Sequence, residues 1–560
     1  METNPHKTLI VLLHGYAMGL TKYHSLKEKI LSVFPNSIMV VPKMPLSVFS
    51  CANPNTIVNS IITEIDTEWG KLEASDKKSL QIIIIGHSTG ALLARKLYIV
   101  ACGENKDALF EKEFTDKATK EWAKNVERLI LFAGINKGWE LNPHLPLGQN
   151  ILMRCLTTIG NLMVLTGLKP VAFKTKKGNP FVTMVRIQAL SMLNHSKAKG
   201  AGNALTIQLL GTQDTIVSPE DNIDLLTGHH FVYLEIERSD HLNVIEMKGT
   251  NGPVRAEVVE KALTQDRETL RLSEVIPSDE YRIAPDLDVT DVVFVIHGIR
   301  DTGYWTQKIA RRVKSKGDKL PGKKFATETS TYGYFPILSF LLYPVRQEKV
   351  KWFMEQYIEN LALYPNASFS FIGHSNGTYL LAKALKDYQS VKFKNVVLAG
   401  SVVAKNYGWT DLIGEKRIEC IYNVVANNDW VVGIFPRTFQ RLRIQDLGSG
   451  GYDGFKTLSN NEQFKYISGG HGAGVEESTW NELAHIITHS KPSRTMPFTK
   501  IDRSLQMRTI AFLGPILFFG ALILLGYIGF LIFGWSDAEP WRFIRIVLYL
   551  ALVWRVLTRF

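Results

Sequence analysis

Cysteine is nearly missing from this chain of 560 residues: it occurs only at Cys51, Cys102, Cys155 and Cys420, and never with CxxC spacing. That scarcity excludes a disulfide framework and a thiolate zinc site, and it fits a reducing compartment. Low-complexity tracts are missing too, and a hydrophobic fraction of 45% with 21% charged residues is ordinary for chains that fold. No export signal is expected at the start, because the apolar run Thr8–Leu13 is short and leads straight into His14-Gly15. Acidic residues are absent from Leu141 to Gln213, whereas Arg154, Lys169, Lys174, Lys176, Lys177, Arg186, Lys197 and Lys199 are basic. The net charge of +12 is not interleaved with a nucleic-acid recognition motif, so nucleic acid is not an expected partner.

The length exceeds what one hydrophobic core usually organises, and the order of events in residues 1–250 recurs in residues 286–490. Each copy opens with an apolar strand ending in His-Gly, Thr8–Gly15 and Val292–Gly298. Each then reaches a G-x-S-x-G pentapeptide, GHSTG at Gly86–Gly90 and GHSNG at Gly373–Gly377. The intervals nearly agree, 74 residues from His14 to Ser88 and 78 from His297 to Ser375. After each pentapeptide the pattern turns helical, and a third apolar run follows, near Leu129–Trp139 and Val396–Trp409. Short apolar runs separated by helical stretches mark parallel strands buried on both faces, so two doubly wound α/β domains are predicted. Residues 251–285, with Pro253, Pro277 and Pro285, are read as a partly helical linker. The first copy carries extra chain at about 140–203, apolar around Ile151–Leu168 and wholly basic in charge, which is read as a cap or lid able to face a membrane.

A serine hydroxyl needs a base in hydrogen-bond reach, a carboxylate to orient that base, and donors for the oxyanion. Ser88 and Ser375 are the candidate nucleophiles. The acids expected after the next strand are Asp214 and Asp429, each followed three residues on by valine, and the bases on the loop after that are His241 and His471. Asp221 and Asp240 rival the first acid, Asp411 and Asp446 the second. His229 and His230 rival the first base, and His485 the second. His87 and His374, inside the pentapeptides, are read as structural. Backbone N–H groups of Tyr16 and Thr89, and of Ile299 and Asn376, are the candidate oxyanion donors. Trp139 and Trp409 are candidates either for pocket walls or for core packing.

With these motifs the chain resembles the α/β-hydrolase superfamily, and within it the lipase/esterase-like branch with an LHG opening and a GHSxG elbow, over about residues 8–250 and 290–490. The resemblance implies an acyl-ester hydrolase using Ser88, Asp214 and His241, and Ser375, Asp429 and His471, with no metal and no organic cofactor. The tandem arrangement and the apolar C-terminal region depart from the usual pattern.

Residues 505–560 are read as a membrane anchor. Thr509–Phe533 is an uncharged apolar run long enough to span a bilayer, and Phe543–Leu557 is a second apolar stretch, broken by Arg545 and Arg555, that either returns across it or lies in the interface. Lys491, Arg494, Lys500, Arg503 and Arg508 precede the first run and Asp537 and Glu539 follow it, so the catalytic domains are expected to face the cytoplasm. The expected function is therefore membrane-anchored serine hydrolysis of lipid or other membrane-proximal esters. The alternatives are that one copy is a non-catalytic binding or gating module, or that the protein is a triggered membrane-acting effector. The oligomeric state is not readable.

Overall fold

The computed structural model describes the chain apart from residues 1–6, 141–168, 218–221, 223, 225–230, 275–283, 300, 302, 460–461, 494–501, 535–538 and 560. The chain divides into two compact units, Met1–Ala284 and Pro285–Phe560.

The first unit contains β1 (Thr8–Leu13), β2 (Ile38–Val40), β3 (Gln81–His87), β4 (Val126–Phe132), β5 (Leu205–Gly211) and β6 (Phe231–Ile236). They form one sheet in the order β2-β1-β3-β4-β5-β6, every pair parallel. The second contains β7 (Asp291–Ile296), β8 (Phe325–Glu328), β9 (Ser368–His374), β10 (Phe393–Ala399), β11 (Ile418–Ala426) and β12 (Gln463–Ile467). Its order β8-β7-β9-β10-β11-β12 repeats the first strand for strand, again all parallel. The architecture is thus α/β with two six-stranded parallel sheets of hydrolase-like strand order. Helices cover both faces of such sheets, which is why β1 (TLIVLL) and β7 (DVVFVI) are buried at every residue.

In each sheet the chain leaves the first strand toward one edge and returns to the other side with the third. The crevice at the carboxyl ends of those two strands is where ligands bind in open α/β sheets. The His-Gly loop and the G-x-S-x-G turn both sit there.

The segment 251–285, read as a partly helical linker, is helical in part and packs on the first unit. Helices Gly252–Thr264 and Arg267–Arg271 bury Val259, Ala262, Leu263 and Leu270, and Arg128 Nη1 donates to the carbonyls of Ala262 and Gln265, so the described part through Glu274 is built into the first unit. An amphipathic helix following the last strand has a sheet face to cover, and here it does.

The basic segment read as a cap or lid is described only in part. Its stretch 141–168, including Arg154, lies outside the described residues. In the described remainder, helix Pro180–Lys199 packs on helix Thr89–Ala101 and buries Phe181, Val182 and Val185. Arg186 is spent on a buried ion pair with Asp224, at 3.0 Å. Lys199 Nζ caps the carbonyls of Cys102, Gly103 and Glu104, and Lys174 Nζ those of Cys51 and Ala52. Carbonyls left over past a helix C-terminus attract cations, as Cys102, Gly103 and Glu104 past helix Thr89–Ala101 attract Lys199, while Cys51 and Ala52 precede helix Pro54–Gly70; Arg186, Lys174 and Lys199 are in this way engaged within the fold.

Finally, the apolar run 509–533 is not one helix. Helix Leu505–Phe512 stops at Leu513, and a second helix runs Gly514–Gly534. Pro515 has no N–H to give the Ala511 carbonyl, and Arg437 Nη1 donates to that carbonyl at 2.7 Å instead; Arg441 Nη1 donates to Phe512 O at 3.0 Å. Gly514–Phe533 is the one helix among the described residues long and apolar enough to cross a bilayer, with mean hydropathy 2.6 and 6% of its apolar window buried. Phe435 and Phe439, on helix Trp430–Leu442, meet Phe518 edge to face. The second apolar stretch lies within one helix, Glu539–Arg559, whose Tyr549 hydroxyl donates to Leu525 O at 2.5 Å, so the two helices lie side by side.

Candidate active site

Both candidate nucleophiles sit in the sharp turn that the pentapeptide permits. Ser88 has φ 52° and ψ −116°, and Ser375 has φ 51° and ψ −118°. A side chain on Gly86 would run into Gly90 O at 2.5 Å and Ala91 Cα at 2.6 Å, and one on Gly90 into the backbone of Leu13 and His14. The turn therefore closes only with glycine at both flanks, and it stores strain that the surrounding packing holds.

In the first unit the sequence-chosen residues converge. His241 Nε2 is 2.9 Å from Ser88 Oγ, and His241 Nδ1 is 2.9 Å from Asp214 Oδ2. The carboxylate fixes the tautomer: Nδ1–H donates to Asp214, which leaves Nε2 to accept the serine proton. Asp214 is itself held by the N–H groups of Ile216 and Val217, both 2.9 Å from Oδ1. The Asp214 side chain is fully buried and His241 nearly so. The two loops are packed together, with Gln213 N donating to Ser239 O at 2.9 Å. Arg255, from the post-strand helix, braces the histidine loop through Ser239 Oγ and the carbonyls of Glu246 and Arg238.

The second unit repeats half of this. His471 Nδ1 is 2.9 Å from Asp429 Oδ2, and Asp429 caps helix Trp430–Leu442 by accepting from Val432 N at 3.0 Å. The recurring valine three residues after each acid is thus the donor that pins the carboxylate. Ser375 Oγ, however, makes no hydrogen bond with His471 among the described residues. A Cβ added at Gly298 would stand 2.7 Å from the Ser375 Cβ and 3.3 Å from its Oγ, so the glycine lets the two loops approach closely.

Thr89 and Asn376 each open a helix, so their N–H groups have no intrahelical acceptor. Tyr16 and Ile299 follow the His-Gly loops, and neither N–H is engaged by another described group. Each unit thus has two amides without a described acceptor, one directly after its serine and one directly after its His-Gly pair.

Among the rivals, Asp240 accepts from Leu242 N and Asn243 N as a turn residue, and Asp446 pairs with Arg346 and Tyr379. Asp411 lies on helix Trp409–Gly414, and His485 stacks on His489. Asp221, His229 and His230 lie outside the described residues. Trp409 is fully buried and packed on Phe455, so it serves packing, while Trp139 is half-buried, donates to Ala172 O and meets Phe173 edge to face.

The residues that sequence reading missed are tyrosines. Tyr23 accepts from Gly15 N at 2.7 Å and donates to His87 Nδ1 at 2.8 Å, and His87 Nε2 donates to His241 O at 2.8 Å. In the second unit Tyr332 holds the corresponding loop by donating toward the carbonyls of His297 and Gly298, and it accepts from Asn376 Nδ2. No motif marks either tyrosine, since each reaches the site from elsewhere in the chain. Burial, and then the neighbouring catalytic-loop histidine, holds His87 down at about 3 and His374 at about 4, so both stay neutral at physiological pH. Among the described residues no His, Cys, Asp and Glu are grouped so as to hold a metal ion.

No family model and no curated protein matches the sequence. Similar solved structures include the phospholipase PlaB from Legionella pneumophila in complex with thio-NAD, at 12% identity and a TM-score of 0.32, covering 47% of this chain and 60% of that one. Others are a lipase-esterase related protein from Clostridium acetobutylicum, at 13% identity and TM-score 0.26 over 45% of this chain and 93% of that one, and the peroxisomal alpha-beta-hydrolase Lpx1 from Saccharomyces cerevisiae, at 13% and 0.29 over 50% and 82%. This chain therefore spans only about three-fifths of the PlaB chain. Likenesses of this size carry no argument about activity, and the fold assignment rests on the strand order and its crossovers.

Proposed function

We propose that the protein is a membrane-anchored serine hydrolase of acyl esters, built from two tandem α/β-hydrolase domains, with lipid or another membrane-proximal ester as substrate. The unbroken line Ser88–His241–Asp214 carries this reading. His241 takes the Ser88 proton as Oγ attacks the ester carbonyl, and the oxyanion forms against the N–H groups of Tyr16 and Thr89. The same proton passes to the departing alcohol, leaving an acyl-enzyme. Water, deprotonated by His241, then attacks, and the acid leaves as Ser88 regains its proton. Asp214 stays ionised throughout and stabilises the imidazolium. Asp429, His471 and Ser375, with Ile299 and Asn376, perform the same steps in the second unit once Ser375 Oγ turns to His471; catalytic hydrogen bonds often close only with substrate bound. The helix Gly514–Gly534 anchors the chain with both domains on the cytoplasmic side.

A second reading, favoured by the open Ser375–His471 pair, makes the second unit a binding or gating module. Fluorophosphonate labelling of wild type, Ser88→Ala, Ser375→Ala and the double variant in membranes separates the two. Loss of part of the signal in each single variant supports two active nucleophiles. Full loss in Ser88→Ala, with none in Ser375→Ala, supports the gating reading. Labelling that persists in the double variant overturns both.

A further inference from the structure

We propose that a groove in the second unit, between helices Thr306–Gly317 and Trp480–His489, binds a compact polyanion carrying several phosphate groups. The groove is open to solvent, offers about 420 Å³, and is lined by Lys308, Arg311, Arg312, Lys316 and Lys319 on one side and Asn481 on the other, with no Asp or Glu in its wall. A spacing of three and four residues puts Lys308, Arg311, Arg312 and Lys316 on one stripe of the helix, with Lys319 just past its end, while Ile309, Ala310 and Val313 face the core on the opposite side.

Like charges four residues apart, as at Lys308, Arg312 and Lys316, repel one another, and the fold does little to relieve them. The chain from Lys308 to Lys324 holds a single carboxylate, Asp318, which is taken by Lys314 at 3.0 Å and by the Phe325 N–H at 2.7 Å. Glu477 approaches Arg312 at 3.5 Å but is 78% exposed, so water screens that pair. The cations are nonetheless held in place. Arg312 lies 4.6 Å over the Trp480 ring, and Lys308 Nζ is 5.8 Å from the same ring. A concave volume of this size suits a small ligand and not a duplex. Neighbouring guanidinium and ammonium groups whose one close carboxylate is the exposed Glu477 suit phosphate oxygens. The phosphates belong either to a soluble polyphosphorylated compound or to a lipid headgroup.

The test uses the full chain in phosphatidylcholine nanodiscs, titrated with inorganic tripolyphosphate. Wild type and a control with basic residues of other helices neutralised, Lys351→Gln with Lys386→Gln, are expected to bind equally. Arg311→Gln with Lys316→Gln and Lys319→Gln is expected to bind at least about tenfold more weakly. Wild-type affinity is also expected to fall as salt rises. Matching thermal midpoints establish that the variants are folded. Equal affinity in groove and control variants, or no binding to wild type, overturns the proposal. Displacement of tripolyphosphate by nanodiscs containing a multiply phosphorylated inositol lipid assigns the groove to a headgroup, and lack of displacement assigns it to a soluble anion; the site stands in both cases.

Discussion

The Tyr23 hydroxyl lies 2.8 Å from His87 Nδ1, and through that pair the Gly15 loop is tied to the His241 loop. Gly15 N–H donates to Tyr23, Tyr23 to His87, and His87 Nε2–H to the carbonyl of His241. The loop expected to supply an oxyanion donor and the loop that carries the base are thus fixed relative to each other. In the second unit the chain is broken: His374 Nε2 reaches His471 O at 3.1 Å, but His374 Nδ1 has no partner among the described residues.

Replacing Tyr23 by Phe removes both bonds while leaving the ring in its buried place. The loss should amount to roughly 1–3 kcal/mol at the site, which is about a five- to 150-fold fall in the rate of fluorophosphonate labelling at Ser88. Labelling at Ser375 should not change. Equal slowing at both serines would show that the effect is not local to the first site.

Asp214→Asn leaves the geometry almost intact but favours the wrong histidine tautomer. Ester hydrolysis by a Ser375→Ala background should then fall by about 10³–10⁴ in kcat with little change in KM. A drop of less than tenfold would remove Asp214 from the catalytic set.

His87 and His374 give a pH dependence of stability with a defined sign. Both are depressed, to about 3 and about 4, whereas an unfolded histidine takes up its proton near 6.5. Between those values the unfolded state binds more protons, so stability is complete above about 6.5 and declines as pH falls, by about 1.4 kcal/mol per pH unit for each histidine. Thermal midpoints measured from pH 7.5 down to 5 should fall for wild type and fall less steeply for His87→Gln with His374→Gln. Parallel slopes would show that other groups govern the acid limb.

Arg437 serves the helix break at Pro515 by taking the Ala511 carbonyl, and it also pairs with Asp453. Arg437→Leu leaves a partly buried carbonyl and a carboxylate without that donor, which should destabilise the second unit by about 1–3 kcal/mol. Hydrogen exchange should show faster opening in residues 505–513 and 430–442, while the first unit keeps its protection. Unchanged protection in both segments would mean that water satisfies the carbonyl equally well.

Much of this protein is written locally. The continuous apolar runs of β1 and β7, the glycines around Ser88 and Ser375, and the valine three residues past each acid act over a few residues, so the repeat, the elbows and the six candidate triad residues are legible from sequence. Asp214 and His241 could be chosen because strand ends in a parallel sheet place their loops on one edge. What distance along the chain conceals is different in kind. Tyr23 meets His87 across 64 residues, and Arg186 meets Asp224 from within a stretch whose composition suggested a membrane-facing lid. The break at Pro515 is local, but only packing brings Arg437 to the carbonyl it frees. The sequence by itself determined which backbone turns form and which chemical groups stand at their tips. Only the tertiary structure decided which buried polar groups satisfy one another, because a burial cost is met by whichever donor the packing delivers. It also decided that Ser88 meets its histidine at 2.9 Å while Ser375 and His471 make no hydrogen bond among the described residues, although both serines stand in the same pentapeptide turn.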